Sequence, residues 1–204
     1  YGICEYEVTG SDVKRQFGEI QKKRERARLQ KCKEQEDAYV RLARRTIETY
    51  IRTGVQIKVP DALPQEMYER CAGVFVSIKE DGRLRGCIGT IRPLQASVAE
   101  EIVHNAVSAS TQDPRFSPIR EEELERLTIS VDVLGDTEKI TSAAQLDVKR
   151  YGVIVTKGQK RGLLLPNLDG VDSVEEQIAI ARQKAGIGEK ESVELERFEV
   201  VRHG

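Results

Sequence analysis

Two runs of strand-forming residues each folded back by a tight turn, four runs of helical periodicity, and the absence of a strand–helix–strand repeat predict an α+β fold of mainly antiparallel sheet flanked by helices. The first run, residues 73–91, reads "GVFVSIK" and "RLRGCIGTI" around Glu80-Asp81-Gly82; the second, residues 152–165, reads "GVIVTKGQKRGLLL". Glycine at the turns supplies the backbone freedom that short hairpin loops require. No G-x-G-x-x-G, Walker loop or serine elbow occurs, so nucleotide binding of the familiar doubly wound kinds has no support.

In chain order, residues 11–33 read as a helix with Ser11 or Asp12 as N-cap and Val13, Phe17 and Ile20 on one face. Beyond Ile20 the apolar face thins to Ala27 and Leu29, which predicts a basic, solvated linker or docking arm over residues 1–33 and a folded domain over 34–204. Residues 36–53 keep the helical period through Tyr39, Leu42, Ala43, Thr46, Ile47, Tyr50 and Ile51, and Gly54 follows where a helix-ending glycine belongs. "VPDALP" at 59–64 interrupts regular structure. After the first hairpin, residues 94–110 are helical through Val98, Ile102, Ala106 and Ala109, and "TQDPRFSP" at 111–118 closes them because its prolines cannot continue a helix. A short acidic helix around 120–126, a strand "LTISVDVLG" at 127–135, the second hairpin ended by Pro166, a helix at 173–185 opened by a Ser173/Glu176 capping box, and a strand at 193–201 complete the order.

A chain of 204 residues with 39% hydrophobic and 33% charged residues is long enough for one sizeable core, or one core with a smaller subdomain. The net charge of −1 gives no global attraction to nucleic acid or membrane. Residues 14–45 carry twelve Lys/Arg against five Asp/Glu, a local +7, so nucleic-acid binding would have to use that arm; beyond Ile20 no aromatic residue interleaves the basic residues of its first helix for stacking. Cys4, Cys32, Cys71 and Cys87 are widely spaced with no paired motif, which argues against a zinc site, against a disulfide framework and for a reduced, cytoplasmic setting. No cofactor or metal site is expected, and no membrane segment is apparent.

The candidate chemistry centres on "LRGCIGTI" at 84–91. A cysteine reacts as its thiolate, which a neighbouring cation favours, and Arg85 stands two positions before Cys87. In a regular strand the two share a face, but Gly86 and Gly89 mark either a bulge or a close backbone approach. Three readings follow: a strand packed beneath a helix; a loop binding a ligand through Arg85, Gly86, Gly89 and Thr90; or a catalytic Cys87. The last needs a base, for which the sequence offers only His104 and His203. Asp113, Arg115 and Phe116 flank Pro114 as either an internal ion pair or a pocket wall, and Asn167 after Pro166 is placed for a polar contact.

"LRGCIGTI", "DPRFSPI" (113–119), "ISVDVLG" (129–135), "GLLLPN" (162–167) and "ERFEVV" (196–201), in that order, resemble the AMMECR domain family, the A component of the AmmeMemoRadiSam system, over residues 36–202. The resemblance implies two unequal subdomains with a cleft between them, bordered by the signature loop. It also implies partnership with a Memo-like domain related to metal-dependent ring-opening dioxygenases and with a radical-SAM protein. In many relatives the domain follows a Memo-like domain in one chain, which would make residues 1–33 an interdomain linker and this chain, beginning at Tyr1, the C-terminal part of such a fusion. Arg85, Gly86, Cys87, Gly89, Asp113, Arg115 and Phe116 fall on signature positions. The segment "NLDGVDSVEE" is shorter than is typical, and His104 stands where relatives carry an acidic or other polar residue, which demotes it as a base. The expectation is a domain binding a small anionic or nucleotide-like ligand between the 85–87 and 113–116 loops, with a cysteine enzyme or an interaction module as rivals.

Overall fold

The computed structural model describes residues 17–204; the expected cap at Ser11 or Asp12, Val13 and Cys4 lie outside the described residues. The chain divides into two units after Gln35. Within the first, helix α1 (Phe17–Gln35) exposes almost every described side chain, as a sequence without an apolar stripe should.

The second unit has two antiparallel sheets with helices against them. Its first helix, α2 (Ala38–Thr53), is capped by Asp37, which accepts from the Tyr39 and Val40 amides, and ends at Gly54 with φ +71°. Val40, Leu42, Ala43 and Ile47 form its buried stripe, while Tyr50 and Ile51 are only half-buried. After the single turn α3 (Glu66–Glu69) come β1 (Val74–Glu80) and β2 (Arg83–Gly89). Asp81 and Gly82 join them at φ 50° and 79°, the backbone signs of a type I′ turn. Helix α4 (Val98–Thr111), capped by Ser97, leads through the proline-marked loop and the 3-10 turn Glu121–Arg126 into β3 (Leu127–Leu134). The order β2-β1-β3-β8, with β8 (Val200–His203), makes the first sheet. Its core face, Val74, Val76, Ile78, Ile129, Val131 and Val133, packs on α2 and α4 as the main hydrophobic cluster.

The second sheet, in the order β4-β7-β5-β6, is built from β4 (Glu138–Ile140), β5 (Gly152–Lys157), β6 (Lys160–Leu164) and β7 (Glu194–Phe198). It buries Val153, Val155 and Leu164 against α5 (Val174–Ala185), a smaller core. The Ser173 hydroxyl accepts from the Glu176 amide, but the Glu176 carboxylate accepts from Asp172 rather than Ser173, so the expected capping box is displaced by one residue. A third cluster, Leu134, Ile154, Leu163, Leu165 and Phe198 with Phe75 and Ile91, joins the two sheets.

The strand expected over 193–201 is two strands. β7 pairs with β5 and β8 with β3, so the chain changes sheets at Glu199, whose carbonyl accepts from Gly135. β4 escaped sequence reading because three residues, with Ile140 alone buried, carry no measurable alternation. Among the described residues no helix is long and apolar enough to cross a membrane.

Candidate functional site

Strand β2 is an edge of the first sheet, and an edge strand leaves every second N–H and C=O unpaired. At Cys87 those groups are taken by side chains. The Cys87 N–H donates to Asp113 Oδ2 at 2.9 Å, and its carbonyl accepts from Arg115 Nη2 at 3.1 Å. Asp113 and Arg115 therefore stand in for a neighbouring strand. Pro114 holds the turn that lets one carboxylate do this: Asp113 Oδ1 also accepts from the Arg115 amide at 3.1 Å and from its Nε at 3.0 Å. The Asp113 side chain is 2% exposed, against 53% for Arg115. The Arg115 guanidinium, outweighing the opposing cost of burial and helped by the Cys87 N–H, holds the Asp113 carboxyl down at about 2. Asp113 in turn raises Arg115 above its ordinary value.

Arg85 lies elsewhere on the same edge. Ile78 pairs with Gly86 and Lys79 with Leu84, so Arg85 is the extra residue of a bulge and is turned out of the pleat. Its Nε and Nη2 reach Glu123 at 2.7 and 3.2 Å, and its Nη1 donates to the Ser117 carbonyl at 2.7 Å. With 14% of its side chain exposed, the guanidinium fastens the 113–123 segment along β2. Burial alone would raise the Glu123 carboxyl, but Arg85 and the Arg120 amide bring it below its ordinary value. The sequence-predicted loops thus meet, with Arg85 holding protein rather than facing solvent.

The other predicted residues divide. A Cβ at Gly86 would lie 2.2 Å from the Ala109 carbonyl of α4, and one at Gly89 2.3 Å from the Phe75 ring, so both glycines are demanded by close packing. The Thr90 hydroxyl donates to Glu101 Oε1 at 2.6 Å, and that fully buried carboxylate also accepts from the Leu94 and Gln95 amides, which orders the loop after β2. Phe116 lies with its ring centroid 5.4 Å from the Arg115 guanidinium carbon. Asn167, at φ 51°, bonds Val148 and, through its carbonyl, Arg202 of β8. Since β8 and β2 are opposite edges of the sheet, three strand spacings or about 14 Å separate that place from Cys87. His104 is exposed on α4, which packs on the sheet face away from Cys87, and is not positioned as its base.

Cys87 pairs with Ser77, so its side chain shares the face of Phe75 and Ser77 opposite the helices. Phe75 is covered by the inter-sheet cluster; Ser77 and Cys87, one pleat further along, are half-buried. The Ser77 hydroxyl lies 3.2 Å from Cys87 Sγ. Sequence reading missed Lys184, in the last turn of α5. Its side chain is solvent-exposed, yet the surrounding protein displaces enough water to lower its pKa, while the Cys87 sulfur acts to raise it and Arg115 to lower it further. Thiol, guanidinium and ammonium therefore share one electrostatic neighbourhood. Among the described residues no carboxylate forms an ion pair with Lys184.

Arg115 itself lines an open concavity of about 550 Å³, together with Arg85, Phe116, Arg120, Glu123 and Arg126 among others. Its arginines are matched to carboxylates: Arg85 to Glu123, Arg126 to Glu80, and Arg120 to Glu122 at 3.8 Å. Arg115 is likewise matched, to Asp113, so of the site's cations Lys184 alone forms no ion pair among the described residues.

The AMMECR1 family model matches residues 40–203. A Clostridium acetobutylicum protein is 46% identical over the whole chain, which spans 43% of that protein's length. A Thermotoga maritima protein is 49% identical over 82% of the chain and 98% of its own length. The crystal structure of an uncharacterized protein from Pyrococcus horikoshii superposes with a TM-score of 0.75 at 34% identity, covering 80% of this chain and 88% of that one.

Proposed function

Because the chain belongs to the AMMECR1 family, we propose that it is a ligand-binding domain that takes a small anionic, nucleotide-like molecule on the face where Cys87, Arg115 and Lys184 meet. The observation that carries this reading is Arg115, held at the Cys87 carbonyl with half its surface exposed, and Lys184 within its electrostatic reach supports it. Arg115 is oriented by a buried carboxylate yet leaves half its surface to solvent, and Lys184 stands without a carboxylate partner among the described residues. A cation held in place before a ligand arrives binds an anion without the cost of ordering a long side chain. Phe116 beside Arg115 offers a ring for a base or other flat group.

In this reading the domain serves a Memo-like metalloenzyme domain and a radical-SAM protein in a cytoplasmic modification pathway. The extra length of the Clostridium relative leaves room for an attached domain, and Cys32, Cys71 and Cys87 are free thiols, as a reducing compartment allows.

Thermal unfolding with pyrophosphate or a nucleoside monophosphate tests the reading. Saturation at roughly ten times Kd should raise the Tm by about 3–5 °C. Lys184→Ala should abolish the increment, and Arg115→Ala should abolish it on top of a lower starting Tm. An increment unchanged in both variants, or absent from the wild type, would place the anion site elsewhere or remove it.

A further inference from the structure

The four sheet edges are not equally defended. A bare edge offers its outward N–H and C=O groups to any strand that meets it, and folds blunt such edges with bulges, lysines, short strands or covering segments. At β2 the Arg85 bulge and the Asp113 and Arg115 side chains do this. β4 is only three residues long and exposes Glu138 and Lys139, and β6 opens on Lys160 and Arg161. β8 has no bulge, no proline and no lysine, and Val201 at its centre is 52% exposed.

Hydrogen-bond parity fixes which groups of β8 are free. The Gly135 N–H donates to the Glu199 carbonyl at 2.8 Å, and in the same register Val201 faces Val133 and His203 faces Val131. Residues 199, 201 and 203 therefore turn their main chain toward β3, and Val200 and Arg202 turn theirs outward. The charged side chains that could shield the edge are drawn onto the sheet faces. Arg202 Nε donates to Asp132 Oδ1 at 2.7 Å, and His203 bonds Asp37 while its ring stacks 3.9 Å from that of Tyr39.

We infer that β8 pairs with β8 of a second copy of this chain, antiparallel about a two-fold axis at Val201, so that the two first sheets become one continuous sheet. Outward groups two residues apart are self-complementary under that axis: Val200 of each copy exchanges both N–H···O bonds with Arg202 of the other. The two Val201 side chains meet at the non-hydrogen-bonded position between them, with Cα atoms about 4.5 Å apart, and cover each other's exposed surface. Glu199 of each copy comes opposite His203 of the other, an acid facing an imidazole. β2 lies at both far ends of the joined sheet, so the faces at Cys87 stay open and the pairing does not depend on the anion-binding reading.

Sedimentation equilibrium of the whole chain tests this. The average mass should rise from one chain toward two between about 5 µM and about 1 mM, the weak association that a small interface gives. Val201→Lys puts a charge at the exposed centre of the strand and should weaken that association about tenfold or more. Amide hydrogen exchange of the unsubstituted chain reads the register. At about 1 mM the Val200 and Arg202 amides should exchange severalfold more slowly than at about 50 µM, while those of Val201 and His203, already bonded to β3, change little. A single-chain mass at every concentration, association indifferent to Val201→Lys, or concentration-dependent protection at Arg161 and Leu163 of β6 in place of Val200 and Arg202 would overturn the inference.

Discussion

Gly86→Val is expected to destabilise the domain by about 3 kcal/mol or more, enough to leave little folded protein in a domain of ordinary stability. The Cβ of any larger residue at this position would stand 2.2 Å from the Ala109 carbonyl, a backbone atom of α4 that cannot rotate out of the way. The helix would have to lift from β2. Because α4 runs directly into the segment carrying Asp113, lifting it also withdraws the carboxylate from the Cys87 N–H. Packing and site are therefore coupled at one glycine. Urea denaturation of Gly86→Ala, the smaller change, checks this if the valine variant does not fold: a cost of at least ~1.5 kcal/mol is expected, and no measurable cost would mean that α4 does not press on the strand.

Asp113→Ala is expected to cost about 3 kcal/mol, because it leaves a backbone N–H at an edge strand and the Arg115 fork without their common acceptor. The same carboxylate gives stability a pH dependence of defined sign. Its folded-state pKa of about 2 lies below the ordinary Asp value of ~3.9, so the stabilisation is fully present above the unfolded value and is lost as pH falls through the folded one. For this almost fully buried group the loss between about pH 5 and pH 2 amounts to about 2 kcal/mol. Asp113→Asn keeps the shape and one acceptor without the titration. Its stability should fall less steeply over that range than the wild type's, and parallel profiles would assign the acid sensitivity to other groups.

Much of the fold is legible in sequence because its determinants are local. The hairpin at Asp81-Gly82, the Ser173 cap, the Gly54 stop and the proline closure after α4 are each set within a few residues. What depends on distant packing is not legible. The change of sheet at Glu199 interrupts no alternation, since both β7 and β8 are good strands and only their partners differ. The bulge that turns Arg85 toward Glu123 was one of two open possibilities, and a regular strand would have put its cation beside the thiol.

The site divides along the same line. The two signature segments were recognisable, but the bonds joining them span 26 and 28 residues, and nothing in "DPRF" announces that its acid and base imitate a strand. Lys184 carries no local signal at all: one lysine among 33 basic residues becomes distinctive only when α5 docks on the second sheet. Thr90 illustrates the converse, a polar residue in a signature loop whose hydroxyl goes inward to Glu101.

The central claim is that an anion is bound at Cys87, Arg115 and Lys184, and residue-resolved binding tests it most directly. In a ¹H–¹⁵N titration with pyrophosphate, the amides of Ser77, Cys87, Arg115 and Lys184 should shift together along one saturable curve. Shifts that cluster instead at Arg120 and Arg126, or around Asn167 and Arg202, would contradict it.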